Sequence, residues 1–461
     1  MGQLMKNKGI YITLIILTML LLTLPAIQQQ WGLFRFKPLK GVSLATQRPK
    51  LSVKSFMDGS YQTTENQYLK EYVGFREPLI RCYNQMAWSL FHETYCEDVV
   101  VGKDKWLYGN HVVRDHFRQM PYQYADNNEE LVKKFERNIN RIKKVQQILD
   151  KRGTKLFVLI CPSKDMVCPE HLPESRDYVM SDGLRAIEYM PKAFSENGIN
   201  FLDLNAWFLS IKDTVDYPLF PMTGTHWSNV ACMHAADTLI RYIEHLTGKN
   251  MPNVSIGPTY PSETRKPDND LEEIMNLVWP IKPNQNYYAK VNVVPDSTAQ
   301  RLRLITIGDS FFWNIAYTMP MDSLFESYPY WYYYNTVYYD PPHSNVKQLN
   351  MVDEINKADA VMILLTTNHL YDIFGAFFHR VINTFNPSKE VMEDILADII
   401  GQIENDSLWL QKVEQRAMER GKTLEETKRA VALYVYKSSP DKYLSRFEAK
   451  TLKNAHETGK E

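Results

Sequence analysis

The chain has 461 residues, 44% of them hydrophobic, and its 53 basic and 54 acidic side chains leave a formal net charge of -1. That balance supplies no long-range field to recruit nucleic acid, and the length exceeds what one core usually serves, so a main domain with smaller attachments is expected. Five cysteines, odd in number and without CxxC spacing, argue against a zinc site and a disulfide framework, leaving one bridge between Cys161 and Cys168 open.

Residues 10–27 carry no charge, and Lys6 and Lys8 stand just before them. With its flanks the run is long enough to cross a bilayer as a helix, and the positive-inside rule puts the N-terminus in the cytoplasm. A cleaved signal peptide competes with this reading, but such a segment ends at a small-x-small site, whereas Ala26 sits among Pro25, Ile27 and Gln28. Residues 1–30 are therefore expected to form a cytoplasmic stub and a single-pass inner-membrane anchor, with the globular part in the periplasm.

Residues 31–95 read as a membrane-proximal helical segment, interrupted by Gly74, Phe75 and Arg76. Val99–Val101, a turn at Gly102, Lys103 and Asp104, and then Trp106, Leu107 and Tyr108 predict a hairpin. Leu131, Phe135, Ile139, Ile142, Val145 and Leu149 recur at helical intervals, with Gly153 as C-cap. Residues 156–161 are continuously apolar, as strands covered on both faces of a parallel sheet tend to be. The alternation continues with helix over 184–196, strand over 201–204, helix over 230–246, strand over 302–307, helix over 346–356 and strand over 360–365. Strands separated by helices predict a parallel sheet wrapped on both sides, spanning a domain at 96–385. Residues 250–269, rich in Pro, Ser and Asn, read as a surface excursion. After Asn386 and Pro387 come charged amphipathic helices, with Thr423 and Glu426 spaced as a capping box, so 386–461 is expected to be a helical appendage.

The sharpest chemical signal is Gly308, Asp309, Ser310 and Phe311 directly after the strand at 302–307. Sites in parallel sheets form at strand carboxyl ends. The glycine permits a tight turn and leaves the serine uncrowded, and the turn's backbone N–H groups can face an oxyanion. A serine so presented is a nucleophile once a base takes its proton; otherwise Asp309 or Ser310 merely caps the next helix. His226, in the loop Gly224, Thr225, His226, Trp227, Ser228, is the side chain suited to accept that proton, unless it only hydrogen-bonds a loop carbonyl. Asn368 and His369 follow the strand at 360–365 and reach the same sheet edge, where Asn368 donates to an oxyanion or caps a helix. The tyrosines at 328, 330, 332–334, 338 and 339, with Trp331, read first as a Tyr-rich strand and second as a groove for a polymer. No His, Asp and Glu cluster has ligand spacing, so neither metal nor cofactor is expected.

These residues resemble the alginate O-acetyltransferase AlgJ/AlgX group of SGNH-hydrolase-like proteins, the DHHW family. The matching stretches run in order from about Glu65 to Asn368. They are the segment ending in Gly74, Phe75 and Arg76; the segment with Gly102, Lys103, Trp106 and Leu107; Pro162, Ser163 and Lys164 leading to Pro173; Asp203; the His226–Trp227 pair; and Gly308 to Phe311. The resemblance implies an SGNH-like α/β/α sandwich with Ser310 as acyl-accepting nucleophile and His226 as general base. Gly308, Asp309 and Asn368 would support them. It further implies acetyl transfer to an exported polysaccharide, the acetyl group being delivered by a membrane-bound O-acyltransferase partner. One position departs from the family's Asp-x-His-Trp pattern: Gly224 stands where the orienting aspartate belongs. Asp203, Asp268, Asp270, Asp309 or a backbone carbonyl could replace it, and the residues alone do not choose among them. Asp309 is set aside, because its neighbour Ser310 points elsewhere on a tight turn, and Asp270 is carried forward as one candidate acid. A carbohydrate esterase, and a catalytically silent polysaccharide-binding or assembly protein suggested by Gly224, are the rival functions.

Overall fold

The charge-free N-terminal run forms one helix, α1 (Gly2–Trp31), whose portion Gly9–Trp31 is long and apolar enough to cross a membrane. The hydroxyls of Thr13, Thr18 and Thr23 donate to the carbonyls one turn back, so none of these donors is left unsatisfied. The structure, a computed structural model, describes residues 2–41, 45–123, 127–340 and 345–457. Three short helices follow, α2 (Val53–Met57), α3 (Ser60–Tyr72) and α4 (Arg76–Phe91). The predicted hairpin forms as β1 (Val99–Val101) paired antiparallel with β2 (Leu107–Gly109), leading into α5 (Asn110–His116).

The sandwich begins with α6 (Asn128–Asp150), β3 (Lys155–Cys161), α7 (Lys164–Val167), α8 (Ala186–Glu196), β4 (Phe201–Asp203), α9 (Leu204–Ile211) and α10 (Asn229–Thr247). Two small antiparallel ribbons intervene: β5 (Asn253–Ile256) pairs with β8 (Val291–Val294), and β6 (Tyr260–Ser262) with β7 (Asn286–Tyr288), with α11 (Asp270–Met275) between β6 and β7. The sheet then resumes with β9 (Leu302–Gly308), α12 (Phe311–Thr318), α13 (Met321–Leu324), β10 (Phe325–Ser327), β11 (Tyr330–Tyr332), β12 (Thr336–Tyr338), α14 (Met351–Lys357), β13 (Ala360–Thr366) and α15 (Gly375–Phe385). The strand order is β12-β11-β9-β13-β3-β4, with β10 also on β9. Every pairing in it is parallel except β11 with β12.

Two-residue alternation sorts the strands' side chains into two cores. Phe157, Leu159, Leu304, Met362 and Leu364 meet α10 and α12 on one face. Leu156, Val158, Ile160, Ile305, Val361 and Ile363 meet α6, α8 and α15 on the other. This is the expected α/β/α sandwich with a mostly parallel sheet. Beyond it, α16 (Lys389–Asn405), α17 (Ser407–Arg420), α18 (Leu424–Ser438) and α19 (Pro440–Glu457) enclose a core of their own around Ile395, Ile399, Ile403 and Val413. Thr423 and Glu426 form the capping box of α18.

Several local expectations need correction. Cys161 and Cys168 are both free thiols, as are the other three cysteines. Residues 250–269 are not a plain surface excursion, because β5 and β6 lie within them; their partners β7 and β8 sit about thirty residues downstream, where no local pattern announces them. The helix over 346–356 is a single 3-10 turn, Val346–Gln348, followed by α14, because Asn345 and Asn350 each cap a separate start. Helix α6 has its C-cap at Lys151, and Gly153, with φ at +80°, completes the turn beyond it. The Tyr-rich stretch forms β11 and β12, its first reading.

Candidate active site

Three neighbouring strands deliver polar residues from their carboxyl ends to one rim. After β3 come Ser163 and Lys164, after β9 come Asp309 and Ser310, and after β13 come Thr367, Asn368 and His369. All of these but Thr367 line a cavity of about 280 Å³ together with His111, Thr225, Phe311, Tyr333 and Thr366. Ser310 precedes α12 but makes no capping bond, so its hydroxyl is not consumed locally. The Asp309 carboxylate instead accepts from the Phe311 N–H at 3.1 Å. Gly308 is needed for a different reason than the turn at the serine: a Cβ there would lie 2.9 Å from the Leu364 Cβ, so β9 and β13 close up only over a glycine.

The loop before α10 brings His226 to the serine. Ser228 caps that helix, and Trp227 is fully buried with its ring edge-on to Phe311 at 5.3 Å. Held by this anchor, His226 Nε2 lies 2.9 Å from Ser310 Oγ. Its other nitrogen, Nδ1, lies 2.6 Å from Asp270 Oδ2. The same carboxylate accepts from the Thr225 N–H through Oδ1 at 2.8 Å, so acid and histidine loop are fixed to each other twice. An Nδ1–H donated to Asp270 leaves Nε2 with the lone pair that accepts the serine proton.

Gly224 acquires a steric explanation in this arrangement. A Cβ at 224 would lie 2.6 Å from the Asp268 carbonyl oxygen and 2.9 Å from Pro221 Cγ. The segment that carries Asp270 thus occupies the room a side chain at 224 would need. The other proposed carboxylates are engaged elsewhere: Asp203 caps α9 through the Ala206 N–H at 2.8 Å, and buried Asp268 accepts from Asn286 at 2.7 Å. Burial pushes Asp268 up to about 7.

Asp309 belongs to a second pair. Its Oδ2 is 2.9 Å from His369 Nδ1, 2.8 Å from the Thr366 N–H and 2.9 Å from the Thr366 hydroxyl. Burial raises the Asp309 pKa, but the hydrogen bond and charge of His369, with two backbone N–H groups, outweigh it and leave the carboxyl below its ordinary value. Burial likewise pulls His369 down, and the bond and charge of Asp309 reverse that, leaving the imidazole above its ordinary value. His111 stacks parallel to His369 at 6.2 Å, where burial and then the His369 charge hold it low.

Beneath this rim Lys164 is completely buried, and its ammonium donates to the carbonyls of Leu107 at 2.7 Å, Met222 at 2.9 Å and Gly224 at 2.9 Å. Trp106 and Tyr108 offer their ring faces at 4.8 and 5.1 Å. Burial pulls the amine down to about 7, while three carbonyl acceptors match the three donors that only the ammonium form has. Asp165, also fully buried, ties Ser163, His116 and Arg185 together, and Ser163 reaches the Thr367 hydroxyl at 2.6 Å. The ends of β3 and β13 are thereby joined.

Ser310, His226 and Asp270 therefore lie in one hydrogen-bonded line, with Asn368 on the wall of the same cavity and Asp309 facing away from His226. Lys164 was not legible as part of the site, and Asp309, read as a supporting residue, was not legible as the partner of His369. Among the described residues no group of His, Cys, Asp and Glu could hold a metal ion.

Residues 99–309 match the family described as "SGNH hydrolase-like domain, acetyltransferase AlgX", a match that stops one residue before Ser310. The chain is 30% identical over 155 residues to the "Probable alginate O-acetylase AlgJ" of Pseudomonas aeruginosa, which is 33% of this chain and 35% of that protein. The match thus spans about a third of the curated relative's length. Among solved structures, the O-acetyltransferase domain of Pseudomonas putida AlgJ aligns at a TM-score of 0.40 with 17% identity, over 62% of this chain and 99% of that one. Pseudomonas aeruginosa AlgX aligns at a TM-score of 0.38 with 11% identity, over 60% and 67%.

Proposed function

With an AlgX-type SGNH hydrolase-like domain across residues 99–309 the chain is an AlgJ/AlgX-like protein, and from that premise we propose that it is a serine-dependent O-acetyltransferase acting on a polysaccharide. The observation that carries the reading is the line from Ser310 Oγ through His226 to Asp270, with contacts of 2.9 and 2.6 Å, opening into a cavity. In the first half-reaction Ser310 Oγ attacks the acetyl carbonyl of the donor while His226 Nε2 takes the hydroxyl proton. The imidazolium is held by Asp270 and returns the proton to the leaving group, which departs as acetyl-serine forms. In the second, a sugar hydroxyl gives its proton to His226 and attacks the acetyl-serine, and Ser310 Oγ leaves with that proton. The Asn368 amide, on the same wall, donates to the oxygen that becomes negative in each step.

The acceptor is an exported polysaccharide. The donor side is served by a membrane-bound O-acyltransferase, α1 keeps the chain in the inner membrane beside it, and the catalytic domain lies in the periplasm. A hydrogen-bonded acid on His226 weighs against a catalytically silent binding protein, the reading that Gly224 invites. The test uses the full chain in detergent with a chromogenic acetyl ester and an oligosaccharide acceptor. Mass spectrometry should find acetyl on the Ser310 peptide and then on the glycan, and Ser310→Ala should abolish both. Acetate release that never labels the glycan would make the protein an esterase; surface acetylation unchanged in cells carrying Ser310→Ala would make it a binding protein.

A further inference from the structure

Helix α4 presents an outer face that a soluble protein would not leave in water. Leu79, Tyr83, Met86 and Leu90 lie on it at 50–65% exposure with Cys82 and Ser89, and no charged side chain is among the exposed residues of the helix. An amphipathic helix facing solvent carries charge on that side, and a continuous exposed apolar face marks a covered surface. The opposite face is committed to the domain: the Asn84 amide donates to the Met275 carbonyl at 2.7 Å, and Gln85 Oε1 accepts from the N–H groups of Val278 and Trp279 at 3.1 and 2.9 Å.

The exit of α1 brings the N-terminal end of α4 to the membrane boundary. Gly9–Trp31 is 23 residues, about 35 Å of helix against about 30 Å of hydrocarbon, so its last turn emerges beyond the hydrocarbon and the turn before it sits at the lipid–water boundary. Those turns touch the start of α4. A Cβ at Gly74 would lie 2.1 Å from the Pro25 carbonyl and 2.9 Å from the Gln29 nitrogen, so the α3–α4 turn packs directly on them. The chain then reverses: Gln28 brackets the Phe34 backbone at 2.6 and 3.0 Å, and Phe34 and Phe36 pack on the Phe75 ring at 6.0 and 5.5 Å. Between residues 31 and 57 the sequence holds Arg35, Lys37, Lys40, Arg48, Lys50 and Lys54 and no Asp or Glu. Cations beside an apolar face at boundary depth suit anionic lipid headgroups.

We propose that α4 lies on the lipid surface of the membrane crossed by α1, its Leu79–Leu90 face among the headgroups, so that the domain stands on a platform rather than swinging from a tether. The proposal rests on the reading of α1 as a membrane span. Cys82 is on the face itself and allows a direct test. The full chain with Cys96→Ser, labelled at Cys82 with bimane, is reconstituted into phosphatidylcholine–phosphatidylglycerol vesicles. Its emission should shift to the blue and be quenched by headgroup-level nitroxide lipids but not by aqueous iodide. A label at Met418→Cys, exposed on α17, in a chain that also carries Cys82→Ser and Cys96→Ser should behave oppositely. Leu79→Glu with Met86→Glu should hand the Cys82 label over to iodide. Flotation with the vesicles reports the anchor separately. A chain that floats with Cys82 open to iodide overturns the platform alone, and protection found only in native membranes does the same by pointing to a protein partner. A chain that does not float overturns platform and anchor together.

Discussion

Asp270 Oδ2 stands 2.6 Å from His226 Nδ1 although 44 residues of sequence separate them. The acid comes from the first turn of a six-residue helix in the connection between β6 and β7, not from the loop that bears the histidine. Such a carboxylate keeps the imidazole in the tautomer that can accept the serine proton. Asp270→Asn should therefore lower kcat for ester cleavage by about four orders of magnitude with KM little changed. Activity within a few-fold of wild type would move the acid elsewhere.

Gly224 and the segment at 268–270 compete for one volume. Gly224→Ala puts a Cβ 2.6 Å from a backbone oxygen that cannot retreat without moving Asp270. The expected cost is about 1–3 kcal/mol of stability, seen in denaturant melts, with activity lost beyond what partial unfolding explains. Placing aspartate at 224 should not rescue Asp270→Asn; rescue would show that the pocket tolerates both arrangements.

Lys164→Met should take the ammonium donor from the carbonyls of Leu107 and Gly224 in a dry interior, while that of Met222 keeps the Leu107 N–H at 2.9 Å. Each unpaired buried acceptor costs about 1–3 kcal/mol, so a clear drop in melting temperature is expected, with kcat falling because Gly224 leads into the His226 loop. Lys164→Arg should not restore it, since a planar fork cannot serve three converging acceptors. An unperturbed melt would refute the clasp.

The Asp309–His369 pair makes stability depend on pH in a defined direction. The folded pKa of His369 is raised, so its contribution is fully present below the unfolded value of about 6.5 and disappears as pH climbs through the folded value. The folded pKa of Asp309 is depressed, so its contribution is present above about 3.9 and disappears as pH falls through the folded value. The gap in melting temperature between wild type and His369→Gln should accordingly be widest near pH 5–6 and narrow toward pH 9. A gap that does not change over that range would mean the pair carries no charge.

The sheet was legible because β3, β9 and β13 are short runs of apolar residues that only a doubly covered strand explains. Ser310 stood out because it directly follows such a strand, and His226 because it occupies a polar loop before a helix. What stayed hidden depends on pairing across distance. β5 meets β8 and β6 meets β7 over some thirty residues of irregular chain, and that pairing is what aims Asp270. Gly224 was misleading for the same reason: read locally it is a missing carboxylate, and in three dimensions it is the clearance for one supplied from elsewhere. Lys164 was visible only as part of a loose match, since nothing in a linear reading says that three carbonyls will converge on a lysine.

The grip of Asn84 and Gln85 on the stretch from Met275 to Trp279 has a practical consequence. That stretch continues directly from α11, so the brace behind Asp270 is built from residues that precede the sandwich. A soluble fragment trimmed to begin near residue 96 would retain Ser310 and His226 while giving up the buttress of Asp270. Measured on such a fragment, turnover would understate the intact enzyme, and a weak result would speak to the trimming rather than to the chemistry.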